Sequence, residues 1–91
     1  MKKYREYQAR KIYARLDRMV QGGINACITL WAEAKKGNDE IKAAEWDGRI
    51  AGTLDCLNDL QILSIQEMLL VREYTVSQMW EKLEDMRNGA A

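Results

Sequence analysis

The chain has 91 residues, 47% hydrophobic and 31% charged, with as many acidic as basic side chains and no histidine or proline. That length makes one domain whose core is small for standing alone, so self-association is expected from size before any pattern is considered. The balance of apolar and charged residues excludes a disordered chain, and the lack of histidine removes the commonest general base and zinc ligand. No apolar run exceeds Met68 to Val71, far short of the roughly 20 residues of a membrane span.

Ala, Leu, Met, Gln, Glu, Lys and Arg dominate, side chains that lose little rotamer freedom in a helix. The periodicity predicts an all-α chain of three long amphipathic helices, about 3–36, 39–60 and 65–87, forming a helical bundle completed by oligomerisation. Along the first, Ala9, Ile12, Leu16, Met19, Gly23, Cys27, Leu30 and Ala34 fall on one stripe at about 100° per residue. The stripe keeps its phase through Gly22-Gly23. A continuous helix with Gly23 at a close helix contact is therefore expected, with a kink at the glycines as the alternative. Lys35-Lys36-Gly37 ends it, basic residues lying on the carbonyl end.

Asn38 or Asp39 is expected to cap the second helix, whose stripe is Ala43, Trp46, Ile50, Leu54 and Leu57. Its other side carries Ala44, Gly48, Gly52 and Cys56 at intervals of four, small enough for another helix to approach. Ser64-Ile65-Gln66-Glu67 has the form of a capping box, and Leu63 before it can staple onto Met68. The third helix presents Ile65, Met68, Leu69, Val76, Met79, Trp80, Leu83 and Met86 on one broad face. Arg72 sits inside that face and needs a carboxylate partner, for which Asp47 is within reach.

Charge is segregated. Residues 1–20 carry seven basic and two acidic side chains, whereas residues 39–63 carry two basic and six acidic ones. Either the two segments lie against each other or the first meets an anionic partner. Lys3, Tyr7, Arg10, Lys11, Arg15 and Arg18 form the face opposite the first stripe, with Tyr4 at its edge. Bases interleaved with tyrosines suit phosphate contact and ring stacking, or an anionic protein surface. A solvated face is the plain alternative. Ile62, Leu63, Leu70, Val71 and Tyr74 gather outside the corner between the second and third helices. They make the expected oligomer or partner interface.

No catalytic constellation emerges, and no cofactor, metal or small-molecule substrate is implied. Cys27 and Cys56 lack metal-ligand spacing and read as buried thiols in a reducing compartment. Asp55 and Asp59 are four apart, but nothing nearby would desolvate them. Gly22-Gly23 follows no strand and lacks phosphate-loop spacing. The basic N-terminal residues are followed by no apolar segment of signal-peptide type, and the expected location is cytoplasmic.

Trp46-Asp47-Gly48-Arg49-Ile50-Ala51-Gly52-Thr53-Leu54, then Leu57 and Asn58-Asp59-Leu60-Gln61-Ile62-Leu63-Ser64 with Glu67, resembles a pattern in small uncharacterised helical proteins. These are encoded by phages and mobile elements of Gram-positive bacteria. In them a "GRI-x-G-x-L" helix runs into an "LGI(I/L)(T/S)" turn and a further helix; Gln61 stands here where glycine is usual. The resemblance implies a helix–turn–helix corner and a mobile-element origin, and it carries over no active-site residue. The expected function is that of a non-enzymatic helical interaction or regulatory protein, homodimeric, binding a protein partner. A nucleic-acid-binding accessory factor using the first helix is the alternative.

Overall fold

Asp17 sets the first departure from the expected path. In the computed structural model, which describes residues 1–89, its carboxylate accepts a hydrogen bond from the Met19 N–H at 2.8 Å, and a new helix starts there. The expected first helix is therefore two, and the described residues form four helices and no strand. These are α1 (Lys3–Ala14), α2 (Arg18–Lys36), α3 (Glu40–Asp59) and α4 (Ile65–Arg87).

The break at Arg15–Asp17 is locally satisfied. Arg15 and Leu16 N–H groups donate to the carbonyls of Ile12 and Tyr13, tightening the last turn of α1. The Gln21 amide donates to the Leu16 carbonyl at 2.8 Å, and the single Tyr13 hydroxyl proton is shared between Asn25 Oδ1 at 2.8 Å and the Gln21 carbonyl at 3.1 Å. Leu16 itself is buried at the corner. The glycines play no part in the break. Gly22 and Gly23 lie inside α2, both exposed, and a Cβ on either would meet nothing within 4 Å.

The other two turns follow from how helices end. After α2 the Asn38 N–H donates to the Lys35 carbonyl and the Asp39 N–H to the Ala34 carbonyl. After α3 the Gln61 N–H donates to the Asn58 carbonyl and the Ile62 N–H to the Leu57 carbonyl. Both are Schellman motifs, whose pivot residue is left-handed. The pivots are Asn38 (φ 59°) and Gln61 (φ 61°), so Gln61 occupies the conformation that the resembled pattern gives to glycine. Asp39 caps α3 by accepting from the Lys42 N–H, and Ser64 with Glu67 forms the expected capping box.

Short turns make α2, α3 and α4 an up-down-up bundle. The Asp47–Arg72 pair ties α3 antiparallel to α4, and Trp31 meets Trp80 edge-on at 5.1 Å, so α2 and α4 run parallel. Their shared core is Ile24, Ile28, Trp31 and Ala32 from α2, Ala43, Ile50, Leu54 and Leu57 from α3, and Val71, Met79 and Leu83 from α4. Thr75 is buried among them, its hydroxyl donating to the Arg72 carbonyl. α1 folds back and packs chiefly on α4, running against it, with Arg5 reaching Glu73 and Arg15 reaching Glu67. Ala9 is its only buried residue.

The α3 stripe is as expected: Ala43, Ile50, Leu54 and Leu57 are buried and Trp46 is half-buried. Two other stripes are corrected. In α2 the core faces through Ile24, Ile28 and Trp31, while Met19 is 86% exposed and Gly23 is open to solvent. In α4 the inward row is Val71, Thr75, Met79 and Leu83, and Ile65, Leu69 and Trp80 point outward. The helix carries apolar side chains on two faces, and only one fits between α2 and α3.

Candidate interaction surfaces

The basic residues of the first segment are exposed but are not one uninterrupted face. Lys3, Tyr7, Arg10, Lys11 and Arg15 lie on α1 or its last turn, whereas Arg18 opens α2 beyond the corner. Arg10 pairs with Glu6 at 3.0 Å and Arg15 with Glu67 at 2.6 Å. Lys11 Nζ stands 5.4 Å from the centre of the Tyr7 ring, within cation–π range. Among the described residues Lys2, Lys3, Lys11 and Arg18 form no ion pair. The acidic second segment does not neutralise α1: its ion pairs are Glu40 with Lys35 and Asp47 with Arg72.

The expected corner patch is taken apart. Leu63 and Val71 are core residues, Leu70 and Tyr74 are half-buried, and Ile62 alone of the five is exposed, at 55%. The physical reason is the α1 fold-back, which lays Ile12 and Tyr13 beside this part of α4. Tyr13 and Tyr74 rings are 5.8 Å apart. The exposed apolar surface nearby is made instead by Leu60, Ile62, Ile65 and Leu69. Beside it, a cleft of about 600 Å³ opens between α1 and α4, lined by Lys11, Ile12, Ala14, Arg15, Gln66 and Leu70 among others.

Arg72 has the partner that its position demanded. Its Nη2 donates to Asp47 Oδ1 at 2.5 Å, while Nη1 is enclosed and has no acceptor. Two carboxylates that anchor α1 are held below the usual range. For Glu67 the main cause is the hydrogen bond from the Ser64 backbone N–H, then that from Arg15; for Glu73 it is the hydrogen bond from Arg5. Tyr13 is pushed up to about 12, first by burial and then by Tyr74 beside it.

The residues screened for chemistry are dispersed. Asp55 and Asp59 are exposed on α3, and the expected burial of the thiols is corrected: Cys56 is exposed on the outer side of α3 and Cys27 only half-buried on α2. Among the described residues no group of three or more His, Cys, Asp or Glu side chains could hold a metal ion. Nor is any helix among them long and apolar enough to cross a membrane. Ala44, Gly48 and Gly52 are exposed, and a Cβ on either glycine would meet nothing within 4 Å, so that face receives no helix from this chain.

The chain matches no family model, no curated protein and no solved structure. The fold and these surfaces are therefore the ground for a functional argument. Sequence reasoning missed Leu60, Ile65, Leu69 and Trp80 as surface residues, because on a helical wheel a second apolar face merges with the first.

Proposed function

We propose that this chain is a non-enzymatic helical interaction protein of mobile-element origin that self-associates as a homodimer and binds a macromolecular partner in the cytoplasm. One observation carries this: four large apolar side chains, Leu60, Ile62, Ile65 and Leu69, are exposed around a single corner beside an open cleft. Isolated exposed apolar residues are ordinary, but a contiguous group rimmed by polar ones marks surfaces that are covered in an assembly. Sedimentation at micromolar concentration is the test. A dimer mass is expected, and a clean monomer at all accessible concentrations overturns the self-associating part.

A second reading has its own support. Lys2, Lys3, Lys11 and Arg18 are free of carboxylates, and Lys11 lies over the exposed Tyr7 ring with Tyr4 exposed on the same helix, a pairing that suits single-stranded nucleic acid. A gel shift that falls steeply with salt and with Lys3→Ala plus Lys11→Ala would establish it; no shift at low salt removes it.

A further inference from the structure

α4 packs one face into the core and leaves a second largely open to solvent. That second face is a strip of Ile65, Leu69, Arg72, Glu73, Val76 and Trp80, within an arc of about 100° on an ideal helix, along which Arg72 pairs with Asp47, Glu73 with Arg5 and Trp80 with Trp31. Ile65, Leu69 and Trp80 are 62%, 58% and 52% exposed, and Val76 is half-buried. The steps along the strip are 4, 3, 1, 3 and 4 residues. It is the same from either end: two apolar residues, a charge, the opposite charge, two apolar residues.

We propose that this strip is a two-fold interface with a second copy of the chain, the two α4 helices pairing antiparallel about an axis between Arg72 and Glu73. It rests on the self-association proposed above and supplies its surface and register. A two-fold axis requires a patch complementary to itself. In this register Ile65 meets the partner's Trp80, Leu69 meets the partner's Val76, and Arg72 meets the partner's Glu73. A parallel pairing in register would set Arg72 against Arg72 and Glu73 against Glu73. It would also align the helix dipoles unfavourably.

The charges at the axis are arranged for this. Arg72 gives Nη2 to Asp47 and encloses Nη1, yet its side chain stays 28% exposed, so the partner's Glu73 meets it as a charge at that exposed edge and not through Nη1. Glu73 accepts from Arg5 and, as a carboxylate, can accept a second guanidinium. Across the axis, Arg5, Glu73, the partner's Arg72 and the partner's Asp47 form a line of alternating sign. The apolar pairs flank that line on both sides, so the strip extends about 22 Å at 1.5 Å per residue.

The register is tested with Ile65→Glu and Trp80→Lys, separately and mixed, by sedimentation, with helix content followed by circular dichroism. The native chain is expected to dimerise, and each variant alone to weaken dimerisation about tenfold or more. Mixing the two variants should restore the dimer, because the new carboxylate at 65 then faces the new ammonium at 80 and the other Ile65–Trp80 contact is intact. A folding defect would not be repaired by mixing. A monomeric native chain overturns both the self-association and this interface. A native dimer indifferent to both variants overturns this interface alone, and weakening without recovery on mixing overturns the antiparallel register.

Discussion

α1 and α3 are both rich in charge, yet they are held to the molecule in opposite ways. α3 buries Ala43, Ile50, Leu54 and Leu57 and leaves its glycines in solvent. α1 buries Ala9 alone and is fastened at its two ends by Arg5–Glu73 and Arg15–Glu67, with Tyr13 reaching across to α2. Apolar burial scales with area removed from water, whereas exposed ion pairs each contribute about 1 kcal/mol or less. The difference teaches that α3 belongs to the cooperative core and α1 is a brace laid over it, able to detach while the rest stays folded.

The sharpest way to break that contrast is to damage each helix in turn. Leu54→Ala should cost about 2–5 kcal/mol, because the cavity forms between three helices. Urea unfolding would then show all three tryptophans and the helix signal moving together at lower denaturant. Ala9→Leu overpacks a fully buried site and should cost about 1–3 kcal/mol. Here helix content should drop first while tryptophan emission holds, since Trp31, Trp46 and Trp80 all lie outside α1. A single transition seen by both probes would show that α1 is part of the core after all.

Smaller changes sharpen the boundary between brace and core. Asp17→Ala removes the cap of α2 and should cost about 1 kcal/mol by thermal unfolding, with Asp17→Asn close to the native value. Gln61→Gly should act in the other direction, by up to about 1 kcal/mol, because glycine adopts the left-handed pivot without steric cost. The smallest effect belongs to pH. Glu67 and Glu73 have folded values below the ordinary 4.5, so their contribution is complete above that pH and is lost as pH falls through the lowered values. The melting temperature should decline there, and Arg5→Gln with Arg15→Gln should flatten the decline.

The same contrast explains what could be seen in advance. The α3 stripe was legible because one apolar face lies between an acidic cap and a Schellman turn. The Asp47–Arg72 pair was legible because an arginine amid apolar side chains must find a carboxylate. The break before α2 was hidden, because the apolar positions of α1 and α2 lie nearly in phase and a wheel joins them. Asp17, a good cap, was the local signal. Periodicity shows that α4 has two apolar faces without saying that the one with Val71 packs, and the fold-back of α1 that sets Ile12 and Leu16 beside Leu63 leaves no mark in local spacing. The basic residues were rightly exposed, but the fold-back that brings Arg15 to Glu67 is a tertiary event with no mark in local spacing.

The two Schellman turns have a kinetic consequence. They join α2 to α3 and α3 to α4 through a few residues, so most core contacts link neighbours in sequence and little loop-closure entropy opposes them. Such a chain folds on the microsecond-to-millisecond scale, and its α2–α3 hairpin can form before α4 has docked. α1 then docks last, onto a surface that α4 completes. In hydrogen exchange its amides should be the first to lose protection and the last to regain it.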